Sequence, residues 1–497
     1  MTSEHVDVLI VGAGLSGIGA GCHLRTELPD KSFAILEARD SIGGTWDLFR
    51  YPGIRSDSDM FTLGYSFKPW EAAKAIADGP DILSYVKETA REFDVEREIR
   101  FGHKVVSARW SSEEARWTVE AEHEGELVTL TCGFLFSCSG YYRYDEGYTP
   151  EFEGIERFGG QIVHPQHWPD DLDYKGKRVV VIGSGATAVT LIPAMARDTE
   201  RITMLQRSPS YVLALPSRDP VADVLRKVLP KKAAYAAVRW KNVMLTILTF
   251  QLSRRAPKFM RAALRKGAQL QLPRGYDVDT HFNPHYSPWD QRMCIVPGGD
   301  LFKSIKRGDA SVVTDTIDTF TEGGIQLSSG EELEADIIIT ATGLNVQALG
   351  GLDLKVDGKA FEASGTVGYK GIMFSGVPNF ALAIGYTNAS WTLKCDLACQ
   401  YVCRLLRHMD RRGYSQVMPV WPDEELPERP FIDLQSGYVL RAIDQFPKQG
   451  DDAPWRLYQN YIRDVPMFRR APIEDGALEF KRAPGAQTPS PARRIAA

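Results

Sequence analysis

The sequence predicts an α/β fold of two Rossmann-like dinucleotide-binding domains with a helical insertion, on three observations. Two short apolar runs each pass straight into a glycine-rich turn and a helical stretch. Each unit is followed by a second apolar strand, one ending in an acid and the other leading to an arginine. Between the units lies a segment in which aromatic, glycine, histidine and proline positions follow a fixed spacing.

In the first unit, Val6-Asp-Val-Leu-Ile-Val11 suits a buried parallel strand, Gly12-Ala-Gly14-Leu-Ser16-Gly17 follows at once, and residues 18–28 read as a helix. The first glycine makes the tight turn, and the second lets the backbone approach a pyrophosphate. The third lets helix and strand pack closely, with the helix N-terminus facing the anion. The strand Phe33-Ala-Ile-Leu-Glu37 ends in an acid twenty residues after Gly17, where a carboxylate accepts hydrogen bonds from a ribose diol. Gly43-Gly44-Thr45-Trp46-Asp47 then suits a backbone pressed against a flat ring system. Gly12, Gly14, Ser16, Gly17, Glu37, Gly44, Thr45, Trp46 and Asp47 are therefore candidates for binding FAD. Residues 134–140 and 335–343 are strands ending in small-residue turns of the kind that close such domains.

In the second unit, Arg178-Val-Val-Val-Ile runs into Gly183-Ser184-Gly185-Ala186-Thr187-Ala188, with alanine at the third glycine position. The next strand ends in Gln206-Arg207-Ser208 and not in an acid. An acid there would repel a 2′-phosphate, whereas Arg207 and Ser208 can pair with it. A charge-assisted contact of this type contributes roughly 1.5–3 kcal/mol, so the second site is expected to prefer NADPH.

A chain of 497 residues has room for two or three domains. The net charge of −5 argues against general nucleic-acid binding, and no stretch approaches the apolar length of a spanning helix. Residues 1–7 lack a basic n-region, and seven cysteines in so long a chain do not make a disulfide framework, so a cytoplasmic location is expected. Cys395, Cys399 and Cys403 share a helical face, read as an apolar stripe with Ala398, Val402 and Leu406 and not as a metal site. His164 and His167 are not a metal pair either: Pro165 disfavours the helix that would align them, and no third ligand is near in sequence.

The expected organisation assigns residues 1–150 and 344–481 to the FAD domain, and 151–212 and 293–343 to the NADPH domain. A helical insertion takes 213–292, and a disordered tail rich in Pro, Ala and Arg takes 482–497. Residues 221–275 hold thirteen Lys/Arg and one acid, a net of +12. Trp240, Val243, Met244, Ile247 and Leu248 form an apolar stripe within this stretch. A helical lid with a solvated basic face and peripheral contact with anionic membrane are both open.

The segment Phe158-Gly-Gly160-Gln-Ile-Val-His164-Pro-Gln-His-Trp168-Pro169 has the spacing F-x-G-x-x-x-H-x-x-x-W-P. With Gly44-x-Trp46, Tyr51-Pro52-Gly53 and Asp57, it resembles the two signatures of the Baeyer–Villiger monooxygenases, flavoproteins with two dinucleotide-binding domains. The related N/S-hydroxylating flavin enzymes usually lack the Trp-Pro ending, and remain the alternative. Residues 281–292 and 385–391 resemble the subgroup of the ethionamide-activating monooxygenase. A disulfide reductase would need a redox cysteine pair beside the flavin, and the first unit has only Cys22. A non-enzymatic NADPH-sensing module would have no use for Arg292 and Asp57.

The resemblance implies insertion of one oxygen atom from molecular oxygen into a ketone, and also oxygenation of sulfides or thioamides. That chemistry passes through anions, so a fixed positive charge is needed, and Arg292 cannot lose its proton. The resemblance assigns Arg292 as the catalytic cation, with Asp57 pairing with it beside the cofactor. It gives His164 and Trp168 a linking role that couples nicotinamide binding to movement.

Overall fold

The computed structural model describes residues 4–423 and 425–482. All but the first residue of the tail expected at 482–497 lies outside the described residues.

Strand Glu4–Val11 is central to a nine-stranded sheet because its residues from Val8 to Ile10 are apolar on both faces and fully covered. It pairs in parallel with Phe33–Leu36 on one side and Glu126–Ser137 on the other. Beyond Glu126–Ser137 the sheet turns antiparallel through Arg116–His123 and Lys104–Ser111. The chain comes back to this sheet late, with Asp353–Val356 and Phe380–Leu382 each adding a parallel strand. Helix Leu15–Glu27 packs against helix Trp391–Arg412 on the same body. Cys395, Cys399 and Cys403 lie in that shared core with Val402 and Leu406.

The second sheet is wholly parallel, in the order Ala310–Thr314, Arg201–Gln206, Arg178–Ile182, Ile337–Thr340, Gln161–Val163. Its edge strand is part of the F-x-G-x-x-x-H segment, which is therefore built into a sheet as well as linking two bodies. A Cβ on Gly160 would stand 2.4 Å from the Asp336 carbonyl oxygen and 2.6 Å from the Phe158 ring, so only glycine fits there.

The insertion leaves and rejoins this body through two strands that pair in parallel, Val212–Leu215 with Cys294–Pro297. Between them run helices Pro220–Val228, Lys231–Arg255 and Pro257–Gln271. The middle helix packs on the first body, although it interrupts the second in sequence. Buried Arg239 explains this: its Nη1 donates to the Phe61 and Gly64 carbonyl oxygens at 2.8 and 2.7 Å. Asn242 donates to Asp59 at 2.8 Å, and Tyr235 to the Tyr65 carbonyl at 3.0 Å. The apolar stripe expected on this helix divides between two faces. Val243 is buried and Ile247 half-buried, whereas Trp240, Met244 and Leu248 are exposed.

Candidate active site

The first glycine loop is shaped by close approach. Gly12 has φ +99, and a Cβ there would lie 2.8 Å from the Cys138 carbonyl oxygen. A Cβ on Gly17 would stand 1.8 Å from the Gly12 carbonyl oxygen, which is the helix–strand contact that excludes a side chain. A Cβ on Gly14, by contrast, would meet only Gly44, at 3.6 Å. Gly14 caps helix Leu15–Glu27 without a side-chain hydrogen bond, so the first-turn N–H groups face an open cradle. Glu37 is buried at the rim, accepting from the Ala13 N–H at 2.6 Å and the Arg39 N–H at 3.0 Å. Burial pushes its carboxyl up, against those two hydrogen bonds.

Gly44 caps the short helix Thr45–Leu48, which carries Thr45, half-buried Trp46 and buried Asp47. Arg39 donates to Asp47 at 2.5 Å. Ser16 points away from the open cradle: it donates to Cys395 Sγ at 3.4 Å and accepts from Trp391 Nε1 at 2.9 Å. It thus ties the loop to the late helix Trp391–Arg412. Gly385 lies tight against Trp391, since a Cβ there would be 2.5 Å from the indole.

The second loop repeats the pattern. Gly183 has φ +131 and would carry a Cβ 2.3 Å from the Ala341 carbonyl oxygen. A Cβ on Gly185 would meet nothing within 4 Å. Helix Ala186–Met195, which begins with Ala186, Thr187 and Ala188, also has no side-chain cap. Ser184 donates to the Ser208 carbonyl at 3.1 Å, which brings the end of strand Arg201–Gln206 to the loop. Arg207 and Ser208 are exposed there, and no ion pair engages Arg207 among the described residues.

Tyr51-Pro52-Gly53 joins the two bodies. Phe49 and Tyr51 are buried in the core of the second body. Gly53 has φ +76, and a Cβ on it would stand 2.8 Å from Ala194 Cβ and 3.0 Å from the Thr190 carbonyl oxygen. Asp57 follows four residues beyond this close crossing, within electrostatic reach of Arg55 and Arg292. Arg292 comes from a distant part of the chain, two residues before strand Cys294–Pro297. The Cys294 thiol, 3.6 Å from the Ser184 carbonyl oxygen, ties that strand to the second loop.

Arg292 and Asp57 are half-buried. Arg292 lines a cavity with Tyr141, Trp391, Tyr438, Phe431 and Gln459, which together bound about 470 Å³ of space not filled by atoms, part of it open to solvent. Burial pushes the Asp57 carboxyl up, while Arg292 and then Arg55 pull it down. Burial also works against the Arg292 charge, but Tyr141, Tyr438 and Asp57 outweigh it, so the guanidinium stays protonated. The direct ion pair expected between Asp57 and Arg292 is not formed; they interact through space. Arg55 instead bonds Asp300 at 2.5 Å. Spacing did not reveal the aromatic wall: Tyr141 stacks on Trp391 at 5.2 Å, and its hydroxyl lies 2.8 Å from that of Tyr142. The available signal was the Tyr141-Tyr142 doublet directly after the Ser139-Gly140 turn.

His164 Nε2 donates to the Gly343 carbonyl at 3.2 Å, and its Nδ1 accepts from the Gln166 N–H at the same distance. Burial holds its pKa below the ordinary value, which agrees with a neutral ring. Gly147 presses on the imidazole so closely that no side chain would fit. Trp168 packs half-buried against the second core. Among the described residues no group of three His, Cys, Asp or Glu is placed to hold a metal ion.

One mixed and one wholly parallel sheet, each fed by a strand, a glycine turn and a helix, define a protein with two dinucleotide-binding domains. Residues 66–230 match the flavin-binding monooxygenase-like family, and residues 10–76 the NAD(P)-binding Rossmann-like domain. FAD-containing monooxygenase EthA of Mycobacterium tuberculosis is 56% identical over 483 residues, 97% of this chain and 99% of EthA. EthA of Mycolicibacterium smegmatis is 55% identical over 479 residues, 96% of this chain and 97% of the relative. The chain belongs to this family of FAD-containing monooxygenases. In fold it is similar to an oxidised steroid monooxygenase bound to NADP, with a TM-score of 0.75 at 24% identity, covering 96% of this chain and 100% of that one.

Proposed function

We propose that this monooxygenase uses FAD, NADPH and molecular oxygen to insert one oxygen atom into a ketone, giving an ester or lactone. The observation that carries the reading is Arg292, a permanent cation in the wall of the cavity that Tyr141, Trp391 and Tyr438 also line, within electrostatic reach of Asp57. The residues fit both cofactors. The uncapped helix at Gly14, the close approach of Gly14 to Gly44 and the buried Glu37 suit the pyrophosphate and ribose of FAD. Gly185, with nothing near its missing Cβ, and exposed Arg207 suit NADPH with its 2′-phosphate. When bound, the reduced flavin supplies activated oxygen and NADPH the electrons.

Arg292 stabilises the anions of the reaction without proton transfer, and Asp57 orients it across the gap. Neutral His164 holds the 158–169 segment to Gly343, and Trp168 seats it on the nicotinamide side. The body holding Glu4–Val11 with the returning strands after 343 is the FAD domain, and the wholly parallel body the NADPH domain. The apolar wall formed by Phe431, Ile432 and Leu434 also suits sulfides and thioamides, whose oxygenation needs no addition to a carbonyl. Incubation of the FAD-loaded enzyme with NADPH, oxygen and a panel of ketones and sulfides tests the reading. Esters or lactones support it; sulfoxides alone would restrict it to sulfur chemistry.

The reading extends to location. No helix among the described residues is long and apolar enough to cross a membrane. Trp240, Met244 and Leu248 present an outward apolar row on a segment carrying +12, which suits peripheral contact with anionic lipid.

A further inference from the structure

Strand Tyr142–Gly147 belongs to neither large sheet, and its strand partner among the described residues is Leu344–Val346. Three successive carbonyl groups along it are held by the 158–169 segment. Gln166 Nε2 donates to the Arg143 and Tyr144 carbonyl oxygens, both at 2.9 Å, and His167 Nε2 donates to that of Asp145 at 3.1 Å. Gln166 is 2% exposed, and its Oε1 has no partner. A buried acceptor left unpaired is costly, so what this side chain contributes is its pair of N–H donors. An apolar residue would avoid the cost at Oε1 but would leave two backbone carbonyl groups unpaired. Tyr144, whose backbone Gln166 holds, reaches the first body with its side chain. A Cβ on Gly44 would lie 3.1 Å from the Gly14 Cα and 3.3 Å from the Tyr144 hydroxyl oxygen, so that hydroxyl stands where the two glycines of the first cradle meet. Thr45 is its polar neighbour, and burial raises the phenol's pKa, so the hydroxyl stays protonated. Gln166 itself lies in neither glycine loop and does not line the Arg292 cavity.

We propose that Gln166 is a positioning residue for the flavin site: its two donors fix the strand so that Tyr144 braces Gly44 and Thr45 where FAD is held. The 158–169 segment, an edge strand of the second body, thereby has a hold on the flavin site of the first. The proposal rests on the Gly14–Gly44 crossing as the seat of FAD.

The test follows the rate of FAD release from the FAD-loaded enzyme, read as free-flavin fluorescence. Gln166→Met removes both donors at similar volume, and Tyr144→Phe removes the hydroxyl alone. Each is expected to speed release about tenfold, since one or two hydrogen bonds are lost. The double variant should release FAD no faster than the faster single variant, because both changes break one linkage. Gln166→Glu should approach the wild-type rate near pH 5, where a protonated carboxyl still donates, and match Gln166→Met at pH 8, where a carboxylate faces two carbonyl oxygens. Wild-type release from both single variants would overturn the proposal. So would multiplied effects in the double variant, or a Gln166→Glu profile parallel to that of the wild type. Should Gln166→Met fail to fold, the Gln166→Glu pH profile decides. Gly14→Ala, whose added methyl meets only Gly44 at 3.6 Å, separates the proposal from the reading beneath it. Wild-type release from Gly14→Ala would remove the FAD seat and the proposal with it, whereas faster release from that variant alone would remove only the role of Gln166.

Discussion

Arg292 is the residue on which the chemistry turns, because a permanent cation near developing negative charge stabilises it without a proton being moved. Arg292→Ala is expected to retain FAD and to oxidise NADPH, yet to lose two to three orders of magnitude in product formation, or roughly 3–4 kcal/mol. Ketone oxidation at the wild-type rate by that variant would remove Arg292 from the mechanism. Among the described residues Arg207 makes no ion pair, and it stands exposed beyond its strand, so Arg207→Ala should change binding and not folding. The Michaelis constant for NADPH should rise about tenfold or more, with NADH use barely altered. A third residue governs stability. His23 lies buried between Glu27, at 2.9 Å, and Asp396, at 3.2 Å. Burial works against its charge, but the two carboxylates outweigh burial and raise its pKa to about 9. Because the folded value exceeds the unfolded one, its contribution is complete below about pH 6.5 and is lost as pH rises through about 9. The shift corresponds to about 3 kcal/mol. Denaturant midpoints from pH 6 to 10 should fall across that window in the wild-type protein and much less in His23→Gln.

At the scale of elements, glycines with the same motif role separate by what surrounds them. Gly53 is pressed onto helix Ala186–Met195 at a positive φ, so Gly53→Ala adds both backbone strain and overlap. Thermal unfolding should show a loss of about 2–4 kcal/mol. Gly185 has free space around it, so Gly185→Ala should unfold near the wild-type temperature while binding NADPH more weakly. Equal destabilisation by both changes would contradict the idea that Gly185 is kept open for the nucleotide. The Lys231–Arg255 helix is held on two sides, by Arg239 to the first body and by Arg254 to the Arg292 loop, while Met244 and Leu248 face outward with Trp240, whose ring lies against Tyr461 at 5.6 Å.

For the molecule as a whole, charge is unevenly spread, with +12 in residues 221–275 against −17 in the remainder. Exposed apolar side chains on the basic segment make contact with anionic bilayers favourable at low ionic strength. Salt weakens such attraction, since the Debye length falls from about 10 Å at 0.1 M to about 3 Å at 1 M. The protein should sediment with anionic vesicles at low salt, release at high salt, and bind neutral vesicles much less. Failure to bind anionic vesicles at low salt would leave the basic face with no role beyond solvation.

Local pattern in the sequence determined both nucleotide-binding units, because a strand, a glycine turn and a helix N-terminus are formed by residues adjacent in the chain. Gly12, Gly17 and Gly183 were legible for that reason, and so was the buried strand Ile337–Thr340. The antiparallel strand Lys104–Ser111 was not read because its alternation is broken at Val105-Val106, whereas Arg116–His123 alternates cleanly, with Trp117, Val119 and Ala121 buried, and was legible though not read. Only the tertiary structure decided that the insertion packs on the first body, because Arg239 is satisfied by carbonyl groups more than 170 residues away in sequence. The same holds for the site. Asp57 and Arg292 are separated by 235 positions, and Tyr141, Trp391 and Tyr438 come from three further stretches. Their neighbourhood is fixed by the crossing of Gly53 over its helix and the pairing of Val212–Leu215 with Cys294–Pro297, contacts that sequence spacing does not encode.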